Sequence, residues 1–144
     1  MQRHPRKRSS GFTLIEILVV LVILGMLAGL VGPRLFGKVD SSKVKTAETQ
    51  VKMLKTALQT FRLDIGRYPT TEEGLASLGK RPEGSDLPAW AGPYLDEEMP
   101  VDPWGHPYEY RDQAAAGQDF TLYSLGSDGE LGGEGLAADI GYLP

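Results

Sequence analysis

Residues Phe12 to Val31 form a predominantly apolar run that carries one acid, Glu16, and follows the basic cluster Arg3, Arg6, Lys7 and Arg8. As a helix, such a run rises about 30 Å, enough to cross the hydrocarbon core of a bilayer. A basic flank stays on the cytoplasmic side, so the chain beyond the run is expected on the opposite side. Glu16 is the anomaly. An ionisable group at the centre of a span costs about 2.5 to 3.5 kcal/mol on insertion scales, so such groups generally pair or carry a function.

Three readings of this segment compete. An ordinary secretory signal has a shorter apolar core followed by a small-residue cleavage site. Here Ala28-Gly29-Leu30 is a poor cleavage site, because the helical pattern continues beyond it. A plain signal anchor explains hydrophobicity and orientation but leaves the junction Gly11-Phe12-Thr13-Leu14-Ile15-Glu16 unexplained. The third reading places cleavage ahead of the run, so that Phe12 becomes the first residue and the anchor is retained.

The 144-residue chain has room for one compact domain beside the membrane-length helix. Its net charge is −4, and losing residues 1 to 11 would remove four more positive charges. An acidic domain argues against nucleic acid, whose phosphates demand concentrated positive charge. With no cysteine, neither disulfides nor thiolate metal sites are available.

Gly25, Gly29 and Gly32 offer small patches for close helix contacts, and Gly32-Pro33 is expected to loosen or bend the backbone without ending the helix. Beyond it, Val44, Ala47, Val51, Leu54, Leu58, Phe61 and Ile65 recur at intervals of three and four, which predicts one apolar stripe facing a domain core. Anchor and domain helix thus read as one long element that stops at Gly66, before Arg67-Tyr68-Pro69. Thr70 and Glu73 predict a capping box for a short helix through Leu78. Residues 80–93 read as loop, with Trp90 either an interaction anchor or, the favoured reading, packed against the domain. Asp102-Pro103-Trp104-Gly105 reads as a turn with an aromatic packing residue. Strands are expected at Tyr108–Tyr110 and Phe120–Tyr123. The fold class is α+β: a long N-terminal helix packed against a small antiparallel sheet.

The stretch from Ser124 to Ile140 is acidic and rich in glycine. Calcium takes six to eight oxygens from carboxylates and carbonyls, and a curved loop is able to supply them. Asp128 and Asp139 stand where they would close the loop from its two ends. The spacing is not that of an EF-hand, and on chemistry alone a solvated acidic loop explains these residues as well as a calcium site does.

Residues 9 to 25 resemble the leader and anchor of type IV pilin-like proteins. Gly66-Arg67-Tyr68-Pro69, Asp102-Pro103-Trp104-Gly105 and the tail from Ser124 to Ile140 are most similar to the major pseudopilins of type II secretion systems. The resemblance covers nearly the whole chain. It implies a leader at 1–11, a transmembrane and assembly helix at 12–32, and a periplasmic domain at 33–144. It implies cleavage by prepilin peptidase between Gly11 and Phe12, N-methylation of Phe12, and Glu16 as the acid at the fifth position of the mature chain, where its charge is expected to pair with the Phe12 amine of a neighbouring subunit, a lipid headgroup or recognition by the processing or assembly machinery being the other roles open to it. It further implies a structural Ca2+ site with ligands Asp128, Asp139 and the Leu125 carbonyl, with Glu130 and Glu134 as alternatives or nearby charges. The expected product is a homopolymer on an inner-membrane platform, completed by minor pseudopilins and helping to drive folded proteins across the outer membrane. A type IV pilin, a minor pseudopilin and a non-polymerising membrane-anchored binding protein are the alternatives. The lack of a C-terminal cysteine pair and the calcium-like tail favour the major pseudopilin.

No catalytic constellation is legible. His4 lies in the basic leader and His106 in a turn between glycine and proline. The glycine-rich tail is acidic and has no lysine, so it is a poor phosphate cradle.

Overall fold

The computed structural model describes residues 11–84, 86–96, 98–114 and 117–144, with the backbone alone at 32–37. The basic cluster and the rest of the leader ahead of Gly11 lie outside the described residues. Two compact units divide the chain, Met1–Val39 and Asp40–Pro144.

The first helix, α1, runs from Leu14 to Ile65 over 52 residues, and Gly32-Pro33 does not end it. Within the first unit, Leu14–Val31 is long and apolar enough to span a membrane, and none of it is buried by the chain. The helix stops where expected. Gly66 takes a positive φ of 87°, which glycine adopts without steric cost, and its N–H closes on the Arg62 carbonyl at 2.8 Å.

In the second unit the predicted stripe is the core. Ala47, Val51, Leu54, Leu58 and Phe61 are buried, joined by Ala57, while Val44 and Ile65 sit at its half-buried ends. Fully burying one such large side chain contributes about 1.5 to 3 kcal/mol. Against this face pack Leu75, Leu78, Leu87, Leu95, Tyr108, Tyr110, Phe120 and Leu122 in one cluster. Trp90 packs into the domain as expected: it meets Tyr94 edge-on and its indole N–H donates to the Ser77 carbonyl at 3.0 Å. Two of the buried tyrosines also find acceptors. Tyr110 donates to the Pro69 carbonyl at 2.7 Å, and Tyr108 to the Gln50 Oε1 at 2.6 Å.

The capping box forms, but the helix behind it does not continue as α-helix. Glu73 N–H donates to Thr70 Oγ1 at 3.2 Å, and Thr70 N–H to Glu73 Oε2 at 2.8 Å. The chain then turns through residues 71–74 and makes only a 3₁₀ turn at Leu75–Leu78, because Gly74 takes φ 58° and leaves the α region. Arg67 reinforces the turn through a two-pronged pair with Glu73, and this pairing holds the Glu73 carboxyl below its ordinary range.

The sheet has three strands rather than two: β1 at Glu109–Arg111, β2 at Thr121–Ser124 and β3 at Ile140–Tyr142. They lie antiparallel in the order β1-β2-β3. The first two are shifted one residue from expectation. The third begins at the last residue of the acidic stretch and has no counterpart among the expected strands, because Ile-Gly-Tyr is too short to show alternation. Its glycine is required: a Cβ on Gly141 would run into the Leu122 carbonyl and lie 2.8 Å from the Tyr123 Cα. Tyr142 accepts a hydrogen bond from Lys55 Nζ at 3.0 Å and meets Phe120 edge-on, tying β3 to α1.

Candidate functional site

The N-terminal residues assigned to processing and assembly lie together at the start of α1. Phe12 is 79% exposed. Thr13 caps the helix: its carbonyl accepts the N–H groups of Glu16 and Ile17 at 3.1 and 3.3 Å. Thr13 Oγ1 accepts the Glu16 N–H at 3.3 Å, and the Glu16 carboxylate faces the Thr13 N–H at 3.5 Å. This is a capping box with one long edge. The signal, Thr followed three residues later by Glu, is the one read correctly at Thr70 and Glu73, and it was missed at Thr13. The acid also sits in the first turn, where the helix dipole favours negative charge. In the uncleaved chain the Phe12 nitrogen is a peptide amide. A positive charge arises there only when the Gly11–Phe12 bond is cut.

The acidic loop occupies the interval between β2 and β3. Ser127 N–H donates to the Leu136 carbonyl at 2.9 Å and pinches the loop. Gly126 and Gly133 take positive φ of 66° and 80° at points where the backbone doubles back. A Cβ on Gly126 would lie 2.8 Å from both the Ala137 and Ala138 carbonyl oxygens, and one on Gly133 would strike the Ala137 carbonyl. Backbone oxygens therefore crowd the inside of the curve.

Asp128 Oδ1 accepts the Glu130 N–H at 3.2 Å, and Asp139 Oδ2 accepts the Gly132 N–H at 2.9 Å. The second Asp139 oxygen, Oδ1, is buried and has no hydrogen-bond partner among the described residues. An orphaned carboxylate oxygen in a loop rich in backbone carbonyls suits a hard cation. Among the described residues no three His, Cys, Asp or Glu side chains gather as a metal cluster, so carbonyl oxygens would have to complete the shell. Leu125 is half-buried at the loop entrance, while Glu130 and Glu134 are exposed.

Beside this entrance lies a cluster that the sequence did not reveal. Asp102 is buried, and its Oδ1 accepts the N–H groups of Trp104 and His106 at 3.0 and 2.8 Å. The expected turn is thereby confirmed, with Gly105 N–H closing on the Asp102 carbonyl at 2.9 Å. Trp104 is half-buried. Asp102 Oδ2 accepts the Ser124 hydroxyl at 2.6 Å and lies 3.7 Å from His106 Nδ1. Burial, followed by the Asp102 charge, pushes the Tyr108 hydroxyl pKa upward. Serine, histidine and aspartate thus meet, but not as a nucleophilic triad. In a triad the histidine stands between serine and acid. Here the acid stands between the other two, and Ser124 is fully buried.

Comparisons with known proteins agree with this architecture. Residues 34–143 match the family described as type II secretion system (T2SS), protein G, and residues 6–32 match the prokaryotic N-terminal methylation motif. The type II secretion system core protein G of Pseudomonas aeruginosa is 47% identical over 137 residues, covering 94% of this chain and 96% of that protein. Its counterpart in Vibrio cholerae is 40% identical over 136 residues, covering 94% and 92%. The crystal structure of the major pseudopilin from the type 2 secretion system of enterohaemorrhagic Escherichia coli matches with a TM-score of 0.59 at 32% identity, over 75% of this chain and 92% of that one. A capped apolar helix, a three-stranded sheet and these matches lead to one assignment: the chain belongs to the type II secretion system protein G family, the major pseudopilins.

Proposed function

We infer that this chain is a structural subunit that polymerises into the pseudopilus of a type II secretion system and helps drive folded proteins across the outer membrane. The observation that carries the reading is the apolar surface of Leu14–Val31, none of which the chain itself buries. Leu14, Met26 and Leu30 are 85%, 73% and 65% exposed. A surface of this kind needs lipid before assembly and other helices after it. The protein is a single-pass inner-membrane anchor with its domain in the periplasm, and it acts without catalysing a reaction; ATP hydrolysis belongs to the surrounding machinery.

Prepilin peptidase cuts between Gly11 and Phe12, and the new Phe12 amine is methylated. The Glu16 carboxylate of one subunit then meets the Phe12 amine of the next, which lowers the cost of burying either charge alone and selects a register. Repeating this head-to-tail contact builds a filament, because it need not close into a ring. Minor pseudopilins and the inner-membrane platform complete the assembly.

A structural calcium ion belongs to this reading. Asp128, Asp139 and the Leu125 carbonyl would hold it, supported by the orphaned Asp139 Oδ1 and the nearby carbonyls of Ala137 and Ala138. When bound, the ion supplies positive charge that neutralises the carboxylates and fixes the loop.

The test is replacement of the chromosomal copy by Glu16→Ala, with mass spectrometry of the N-terminus. The wild type is expected to begin at methylated Phe12 and to form fibres. The variant is expected to reach the membrane at normal level yet to form no fibres and to stop secretion. Secretion at the full wild-type rate by a variant without fibres, or functional fibres bearing an intact leader, would overturn the reading.

A further inference from the structure

The Asp102 side chain has no solvent exposure, and its two oxygens do different things. Oδ1 takes the two N–H groups of its own turn, and a turn needs no more than that. Oδ2 reaches out of the turn to the hydroxyl of Ser124, the last residue of β2. Ser124 Oγ in turn accepts the Gly126 N–H at 3.1 Å. The Gly126 carbonyl lies 3.2 Å from His106 Nδ1. A carbonyl only accepts, so that nitrogen carries the ring proton. The circuit returns to Asp102 through the His106 N–H. Leu125 lies between two residues of this ring, with its neighbour on each side held by a hydrogen bond. Further along the loop, Gly129 packs on the same imidazole, where a Cβ would lie 3.2 Å from Cε1 and Nε2.

A buried carboxylate is retained at a cost unless its oxygens are filled, and a network filled in this way is rigid. We propose that Asp102 is a positioning residue for the calcium loop, acting through Ser124 and His106 to hold the Leu125 carbonyl in place before the ion arrives. The proposal rests on the calcium reading above. None of the three side chains is among the proposed ligands; they would shorten the search that the loop must make to surround the ion.

The experiment uses the cleaved full-length chain in detergent micelles, titrated with calcium chloride by calorimetry and followed by amide hydrogen exchange. Ser124→Ala is expected to weaken calcium binding about tenfold, the equivalent of one lost hydrogen bond to a charged group. Its Gly126 and Ser127 amides are expected to exchange faster than wild type without calcium and to regain protection with it. His106→Ala, at a partly exposed side chain, should act in the same direction. His106→Gln, whose amide NH₂ can still donate to the Gly126 carbonyl, should retain near-wild-type affinity. Unchanged calcium affinity in Ser124→Ala and His106→Ala, with equal losses of stability in calcium and in chelator, would reduce the network to ordinary packing and sink the proposal. A wild-type chain that binds no calcium sinks the calcium loop itself, and the flat wild-type titration distinguishes that failure from the first.

Discussion

Replacing Asp139 by asparagine exchanges one carboxylate oxygen for an amide nitrogen, and the effect on stability is expected to change sign with calcium. Asp139 Oδ2 accepts the Gly132 N–H at 2.9 Å, which an asparagine oxygen can still do. Oδ1 is buried and has no partner among the described residues. Leaving a buried polar group unsatisfied costs about 1 to 3 kcal/mol, and more when it is charged, so neutralising it in chelator should gain about 1 kcal/mol. With calcium at a hundredfold excess over its dissociation constant, the wild type gains about 2.7 kcal/mol by mass action. A variant whose affinity falls about a hundredfold gains only about 0.4 kcal/mol under the same conditions. The net expectation in calcium is therefore a loss of about 1 to 1.5 kcal/mol. At about 4 °C per kcal/mol for a domain near a hundred residues, Asp139→Asn should melt about 4 °C above wild type in chelator and about 5 °C below it in calcium. The assay is thermal unfolding by circular dichroism of the cleaved full-length protein in detergent, with calcium and with chelator. Equal destabilisation in both conditions would show Asp139 to be a hydrogen-bond acceptor and nothing more, and would refute the reasoning.

Three further outcomes test the domain. The Glu73 carboxyl is held low by its pair with Arg67, so the stability it contributes is complete above the ordinary carboxylate range and is lost as pH falls through its lowered folded value. Glu73→Gln should therefore show a shallower loss of melting temperature between about pH 5 and pH 2 than wild type. At the alkaline end, burial raises the Tyr110 hydroxyl, so the stability it contributes is present below about pH 10 and lost as pH rises beyond it. Tyr110→Phe should flatten that limb in a pH-melting series while costing about 1 to 3 kcal/mol at neutrality, because the Pro69 carbonyl loses its donor. Gly92→Ala places a Cβ 2.6 Å from Trp90 Cζ2 and 2.9 Å from the Tyr94 ring; urea unfolding should show a loss of about 1 to 3 kcal/mol.

The apolar run, the stripe from Val44 to Ile65, the stop at Gly66 and the capping box at Thr70 were all legible, because each is a local pattern repeated within a few residues. The short α-helix expected after Thr70 failed at Gly74, whose positive φ depends on the fold around it. The third strand escaped notice because a three-residue segment has no period, and only pairing with Leu122–Ser124 makes it a strand. Thr13 differs, because its capping signal is as local as that at Thr70 and lies in the sequence itself, Thr followed three residues later by Glu.

Membrane-length hydrophobicity, one acid near its start and the basic flank ahead of it were properties of the amino-acid order alone, since lipid responds to composition along a single helix. Where the acidic loop lies, which oxygen of Asp139 is left unpaired and why a serine, a histidine and an aspartate converge with the acid between the other two were decided by tertiary structure. Asp102 and Ser124 are 22 residues apart in the chain and 2.6 Å apart in space. Side-chain hydrogen bonds of that separation exist only after strands pair and a core excludes water, so no local pattern announces them.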